Sequence, residues 1–256
     1  MGYPDTSKGS TLVSKGFNNL LGFIMYQADI KDVRKIQTYY INLDSHVDKK
    51  IRIEEILTHV GFENFSRLQA VENKVDGQIG LINTHVSLLS SLKVPFLLLE
   101  DDVDILNRDF ELSIPKECDV LYLGNSVWGD FNGKARIGVK YEKVANDSRV
   151  LRIKNMLSTH AMLFLSQDYV DFCASELSKE IDAGRPSILR IDQFYARTQH
   201  KWGIFALNRP IFYQKNHSKS MTRNEKWTRH KLTNYKFRLQ TLCVLILALL
   251  KLPNSK

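Results

Sequence analysis

Cysteine, proline and long apolar runs are all scarce in this chain of 256 residues. Its 3 cysteines, Cys118, Cys173 and Cys243, are too few and too widely spaced for a disulfide framework or a zinc pattern, and they suit a reducing compartment. With only 6 prolines and 13 glycines, a disordered or fibrous chain is excluded. No stretch reaches the roughly 18 to 20 apolar residues that a bilayer span needs. The polar opening MGYPDTSKGSTLVSKG is not a secretory signal, and the apolar run at 20–26 is too short and too internal to be one. The body of the chain also lacks charge. Of the net +8, residues 223–256 supply +7, from eight Lys/Arg and one acid, so residues 1–222 carry about +1. A fold that grips nucleic acid spreads basic residues over its surface, so no nucleic-acid partner is expected.

What is present is an ordinary globular composition, 43% hydrophobic and 25% charged, enough for a substantial core. Residues 1–35 form a leader to which no function is assigned. KIQTYYINLD (35–44) is a strand running into a turn. Ile51, Ile53, Ile56, Leu57 and Val60 recur at helical spacing until Gly61 stops the pattern. FSRLQAV (65–71) predicts a second strand. GQIGLINTHVSLLSSLKV (77–94) predicts a helix with Ile79, Ile82, Val86 and Leu89 on one face. PFLLLEDDV and CDVLYLGN predict the third and fourth strands.

Beyond them come a glycine-punctuated loop at 128–138, a strand or hairpin around 139–153, and a strand then helix over 158–177. A helix at 189–199 and a return to strand at 201–214 complete the pattern. The alternation predicts an α/β fold, a single domain over 36–222 with a mostly parallel, Rossmann-like sheet flanked by helices. A basic, then apolar, helical tail follows at 223–256. In such sheets ligands sit beyond the carboxyl ends of the strands, which is where INLD and LLLEDD stand.

Glu100, Asp101 and Asp102 therefore pose an electrostatic question. Three adjacent carboxylates at the end of a buried strand repel one another. Solvent, a cluster of Lys/Arg or a divalent cation held by oxygen ligands could each answer that repulsion. His85, alone on a largely apolar helix, is either a core residue hydrogen-bonded locally or part of a site. Trp128 is either a sugar-stacking platform or a buried ring.

Four stretches, in order and register, resemble glycosyltransferase family 25, the lipooligosaccharide and collagen galactosyltransferase type. They are YYINLDSHVDKKIRIEEIL, GQIGLINTHVSLLSSL, PFLLLEDDVDI and DVLYLGN. The resemblance spans about residues 38–125 and weakens over 155–221. It implies a GT-A fold, a UDP-sugar donor and Mn²⁺ (or Mg²⁺), with inverting transfer of a hexose, galactose foremost, to a glycan or lipid-linked glycan.

Carried onto this chain, the resemblance makes Glu100, Asp101 and Asp102 an Asp-x-Asp-like site. Asp102 contacts the metal, and Glu100 or Asp101 faces the donor ribose or the metal. Asn42 and Leu43 sit at the uridine end, with Gln78 and His85 on the donor side. Gln78 stands where the family has Glu, Thr84 where it has Ser, and Lys50 and Arg52 lie near its usual Arg. RPIFYQKNHSKSM resembles the family's terminal segment, which makes His217 a late metal ligand and sets Lys215 and Lys219 against phosphate. Asp192, opening a helix, is the expected base that deprotonates the acceptor, with Asp130 and Glu142 as runners-up. His160 falls where acceptor loops lie.

The tail places basic and aromatic residues before an apolar run at 242–250. It suits either the interface of an anionic membrane or a helix packed on the domain. The expected location is the cytoplasm, with peripheral attachment through the tail. The alternative function is a catalytically inert GT-A-like carbohydrate-binding or membrane-adaptor protein.

Overall fold

The computed structural model describes residues 31–112, 114–184 and 190–215. Residues 1–30 of the leader expected over 1–35, the tail at 223–256, His217 and Lys219 lie outside the described residues. The folded body begins earlier than expected: Val33 is buried in the core and its N–H donates to Phe110 O.

The first half of the chain alternates strands and helices. β1 (Thr38–Asn42) leads to α1 (Val47–His59), then β2 (Phe65–Gln69), α2 (Gly77–Ser91) and β3 (Phe96–Glu100). Each helix has a local reason to start or stop. Gly61 adopts φ +84° just past α1, a left-handed geometry that favours glycine at a helix end. The Asp76 carboxylate caps α2 by accepting from Gln78 N–H at 2.8 Å.

The second half is richer in strands. β4 (Val103–Ile105) and β5 (Val120–Tyr122) come first, then two hairpins: β6 (Trp128–Phe131) with β7 (Lys134–Ile137), and β8 (Tyr141–Val144) with β9 (Asp147–Ile153). β10 (Ala161–Phe164), α3 (Gln167–Asp182), α4 (Ile191–Thr198), β11 (Ile204–Leu207) and β12 (Phe212–Gln214) complete the order. The region expected as a loop at 128–138 is thus a hairpin. Asn132 and Gly133 both take positive φ at its turn, and Asn-Gly is a strong two-residue hairpin signal. The strand expected over 201–214 is two strands, broken around Pro210.

Eight strands form one sheet in the order β2-β1-β3-β10-β5-β11-β9-β8. The sheet is mixed rather than mostly parallel. The pairings β1–β2, β1–β3 and β5–β11 are parallel and the other four are antiparallel. Reversal of only β9 and β10 produces this, since the other six strands share one direction. The carboxyl ends of β1, β3 and β5 therefore meet the amino end of β10 along one edge.

Both faces of the sheet are covered. Leu97 and Leu99 join one core cluster with Ile53 and Leu57 of α1, while Phe96 and Leu98 join the other with Ile82 and Leu89 of α2. A strand buried on both sides reads as a continuous apolar run, which is why PFLLL carries no polar alternation. Among the described residues, no helix is long and apolar enough to cross a membrane.

Candidate functional site

The edge where β1, β3, β5 and β10 meet gathers most of the acidic side chains named from sequence. β3 ends at Glu100, and the turn into β4 presents Asp101 and Asp102, both only 8% exposed. Each carboxylate is answered differently.

Asp101 is fully committed. One oxygen accepts from Asn42 Nδ2 at 2.8 Å and the other from Lys49 Nζ at 3.0 Å. Asn42 is itself fixed, since Arg67 donates to its side-chain and backbone oxygens at 3.0 Å each. Arg67 in turn pairs with Asp44. Asp104, in β4, is paired with Arg52 at 2.7 Å and Lys215 at 3.5 Å. Burial pushes its carboxyl up, but the Ile105 N–H, Arg52 and Lys215 outweigh that and hold it below the usual carboxylate range.

Glu100 has both oxygens occupied by neutral donors, Thr159 Oγ1 at 2.5 Å and Gln214 Nε2 at 2.9 Å. Burial, then the charge of Asp102, raise its pKa to about 8. Asp102 is the exception. Its Oδ1 is buried and has no hydrogen-bond partner, and burial raises its pKa to about 6 despite the opposing charge of Lys49. Its backbone oxygen accepts from Lys215 N–H at 2.9 Å. A Lys/Arg cluster therefore answers Asp101 and Asp104, and nothing answers Asp102 Oδ1.

That orphaned oxygen tests the metal expectation. A buried carboxylate oxygen without a donor suits a hard cation. Among the described residues, no three His, Cys, Asp or Glu side chains converge as a metal cage. A cation here would take Asp102 from the protein and complete its shell with phosphate and water oxygens, as Mg²⁺ commonly does. The residues fit such a shared ion. They do not form an all-protein cage.

The remaining sequence candidates fall in distinct places. Leu43 is half-buried after β1, where its backbone oxygen accepts from His46 N–H. Gln78 lies in the first turn of α2, with its backbone N–H on Asp76. His85 is a core residue: it is 1% exposed, its Nδ1 lies 3.0 Å from Tyr195 Oη, and burial lowers its pKa to about 4. Its ring packs edge-on against Tyr195, so the donor-side expectation gives way to a structural one. Thr84 is also structural, donating to Gly80 O and accepting from Val71 N–H.

His160 is buried at the amino end of β10, where its backbone oxygen accepts from Glu100 N–H. A Cβ on Gly124 would lie 2.1 Å from His160 Nε2, so the glycine of LYLGN is what admits the ring. His160 therefore has no free face for an acceptor.

Asp192 and Asp130 form a second acidic centre. Asp192 lies in the first turn of α4, half-buried. Burial raises its pKa, the Gln193 N–H and Arg190 oppose the rise, and Asp130 adds to it. Asp130, on β6, has an Oδ1 without a partner and an Oδ2 3.6 Å from Arg197 Nε. Glu142, on the exposed hairpin, pairs with Lys154 at 3.0 Å and stands apart from both. Trp128, half-buried on β6, keeps its backbone oxygen on Leu157 N–H. The segment 155–159 links the two centres. Asn155 exchanges hydrogen bonds with the Asp130 backbone, and Thr159 grips Glu100. Four residue steps span at most roughly 14 Å.

Lys49, Thr159 and Gln214 were missed as site residues. Lys49 carries only a helical-periodicity signal, next to the Lys50 and Arg52 that drew attention. Gln214 sits inside the RPIFYQ motif and was legible there. Thr159 has no sequence signal, because its role depends on the reversal of β10. No family model matches this chain, and no curated protein does.

Proposed function

We propose that the protein is a metal-dependent glycosyltransferase of GT-A type. In this reading it moves a hexose from a UDP-sugar to a glycan or lipid-linked glycan. The observation that carries the reading is Asp102 Oδ1, buried and unpartnered at the carboxyl end of β3, inside a carboxylate group whose other members are engaged. Position supports it as well, because ligands in open α/β sheets sit at this edge.

Asp102 would hold the Mn²⁺ or Mg²⁺, which when bound neutralises the charge gathering on the departing diphosphate. The chain's own residues do the rest. Asn42 and Lys49 hold Asp101 still, so that Asp102 is presented in one orientation. Glu100, held by Thr159 and Gln214 and carrying a proton near neutral pH, would add no further negative charge beside Asp102. Asp192, with its pKa raised, is the better base of the second centre. It would take the proton of the acceptor hydroxyl as that oxygen attacks the anomeric carbon and the bond to UDP breaks. Arg197 orients Asp130 beside it.

The test is a thermal-shift titration with UDP, with Mn²⁺, and with both, followed by a donor-hydrolysis screen of UDP-sugars. UDP and Mn²⁺ together should raise Tm by more than the sum of either alone. No joint stabilisation would remove the proposal. Joint stabilisation without turnover of any donor would leave the inert carbohydrate-binding alternative in its place.

A further inference from the structure

One cavity borders the acid cluster through Asp104 and extends away from Asp102. It has a volume of about 930 Å³ and opens between α1 and the segment that follows β4. Ile51, Ile56, Ile105 and Leu106 give it an apolar wall, and Glu54 and Glu55 line it beside them. Ile51 is 51% exposed, although the helical pattern of α1 marks it as a core-facing residue. An apolar wall left open in this way marks a surface that binds something.

We propose that this cavity docks the chain's own C-terminal segment, with the apolar residues 242–250 against the wall and their basic flank toward Glu54 and Glu55. Three observations select this occupant. First, the described chain ends beside the cavity: Lys215 Nζ lies 3.5 Å from Asp104, which lines it. Second, residues 223–256 carry eight Lys/Arg and one acid ahead of and around an uninterrupted apolar run, and the apolar wall is edged by Glu54, Glu55 and Asp104 against the single cation Arg108. Third, a tethered segment binds at an effective concentration in the millimolar range, so modest complementarity suffices.

The leader is the rival occupant within the chain. Its apolar residues 20–26 have no Lys or Arg between Lys15 and Lys31 to meet the glutamates. Lys31 borders an adjoining cavity that shares His59, Val60 and Arg108 with this one, so it is the missing basic flank that sets the leader aside. The recognition is that of an amphipathic segment laid in a groove.

Docking does not depend on what the acid cluster binds, and the test does not read activity. Cys243 lies inside the apolar run, while Cys118 and Cys173 are buried. Thr58→Cys and Glu55→Cys each place a thiol in the cavity lining. Val75→Cys, at a site 96% exposed on the connection before α2, is the control. Under a mild oxidant, at least one lining variant of the full chain should form an intramolecular disulfide at least tenfold faster than the control. A disulfide needs the two Cα atoms within about 7 Å.

The product should vanish in a Cys243→Ser background, and adding Glu55→Lys to Thr58→Cys should slow its formation severalfold. Equal rates at the lining and control sites would overturn the proposal. A disulfide-linked dimer as the main product would also overturn it and assign the cavity to a second copy's tail. Binding to phosphatidylserine-containing vesicles, together with no excess crosslinking in their absence, would reassign the tail to a membrane surface.

Discussion

The two acidic centres differ in how the fold restrains them. The β3 centre draws partners from β1, α1, the segment before β10, and β12: Asn42, Lys49, Thr159 and Gln214 each hold a named oxygen. The Asp130–Asp192 centre has only looser cations beside it: Arg190 acts on Asp192 through its charge, and Arg197, 54% exposed, lies 3.6 Å from Asp130. The first centre is therefore rigid and short of positive charge at a single atom. The second is looser and open to exchange of a proton. A fixed ion-holding oxygen and a titrating base call for those opposite designs.

Asp102→Asn breaks the comparison most severely. It should lower donor turnover by roughly 10³-fold, the scale seen when one electrostatic stabiliser is lost. It should also abolish the joint UDP and Mn²⁺ shift. Because Asp102 Oδ1 is buried without a partner, removing the charge should let the Tm of the free protein hold or rise. A variant that keeps the joint shift would place the ion elsewhere. Asp192→Asn should act on the other half of the reaction. Transfer to acceptor should fall by about 10²-fold or more, while hydrolysis of the donor to water and the Mn²⁺ response change far less. Equal loss of both activities would deny it the role of base.

Glu100 and the buried histidines also separate by pH. Glu100 has its folded pKa raised to about 8, so the folded state holds a proton there that the unfolded chain has released. Stability from this group is full below the unfolded carboxylate range and is lost as pH rises through about 8. The buried histidines His85 and His160 act in the opposite sense. Their folded pKa values are lowered to about 4, so their cost appears as pH falls below about 6.5. Between pH 6.5 and 8 the Glu100 effect stands alone among these. The Tm of the metal-free protein should decline across that window, and Glu100→Gln should flatten the decline. A slope unchanged in the variant would mean that Glu100 is already ionised in the fold.

Much of the β3 centre was legible because it is local. INLD, GQIG and LLLEDD each combine a strand or helix signal with its terminating residues, and the element bounds follow. What escaped was nonlocal. The reversed β10 brings Thr159 to Glu100 across a sequence separation that no motif spans, and the same reversal makes the sheet mixed. The Asn132-Gly133 hairpin is written in local turn chemistry, but the glycines spread through 128–138 give that stretch the composition of a loop. His85 shows the converse error: its helical position was right, but its partner, Tyr195, lies on α4 and cannot be inferred from the spacing within α2.

The smallest effect sharpens the comparison through stability alone. Lys49 and Asp101 have side chains only 19% and 12% exposed, so removing the ammonium leaves a carboxylate that is largely cut off from water. Lys49→Met should cost about 2 to 3 kcal/mol, somewhat below the range for a fully buried pair. Asp130 is also enclosed, its side chain 7% exposed, but Arg197 is 54% exposed and 3.6 Å away, so this longer and more solvated contact should cost less on loss, about 1 kcal/mol for Arg197→Met. Urea denaturation of both variants gives the two values side by side, with m unchanged if only stability has moved. The ratio matters more than either number. If the two losses are equal, the β3 centre is no more restrained than its neighbour, and Asp102 is not held in the single orientation that ion binding through one carboxylate requires.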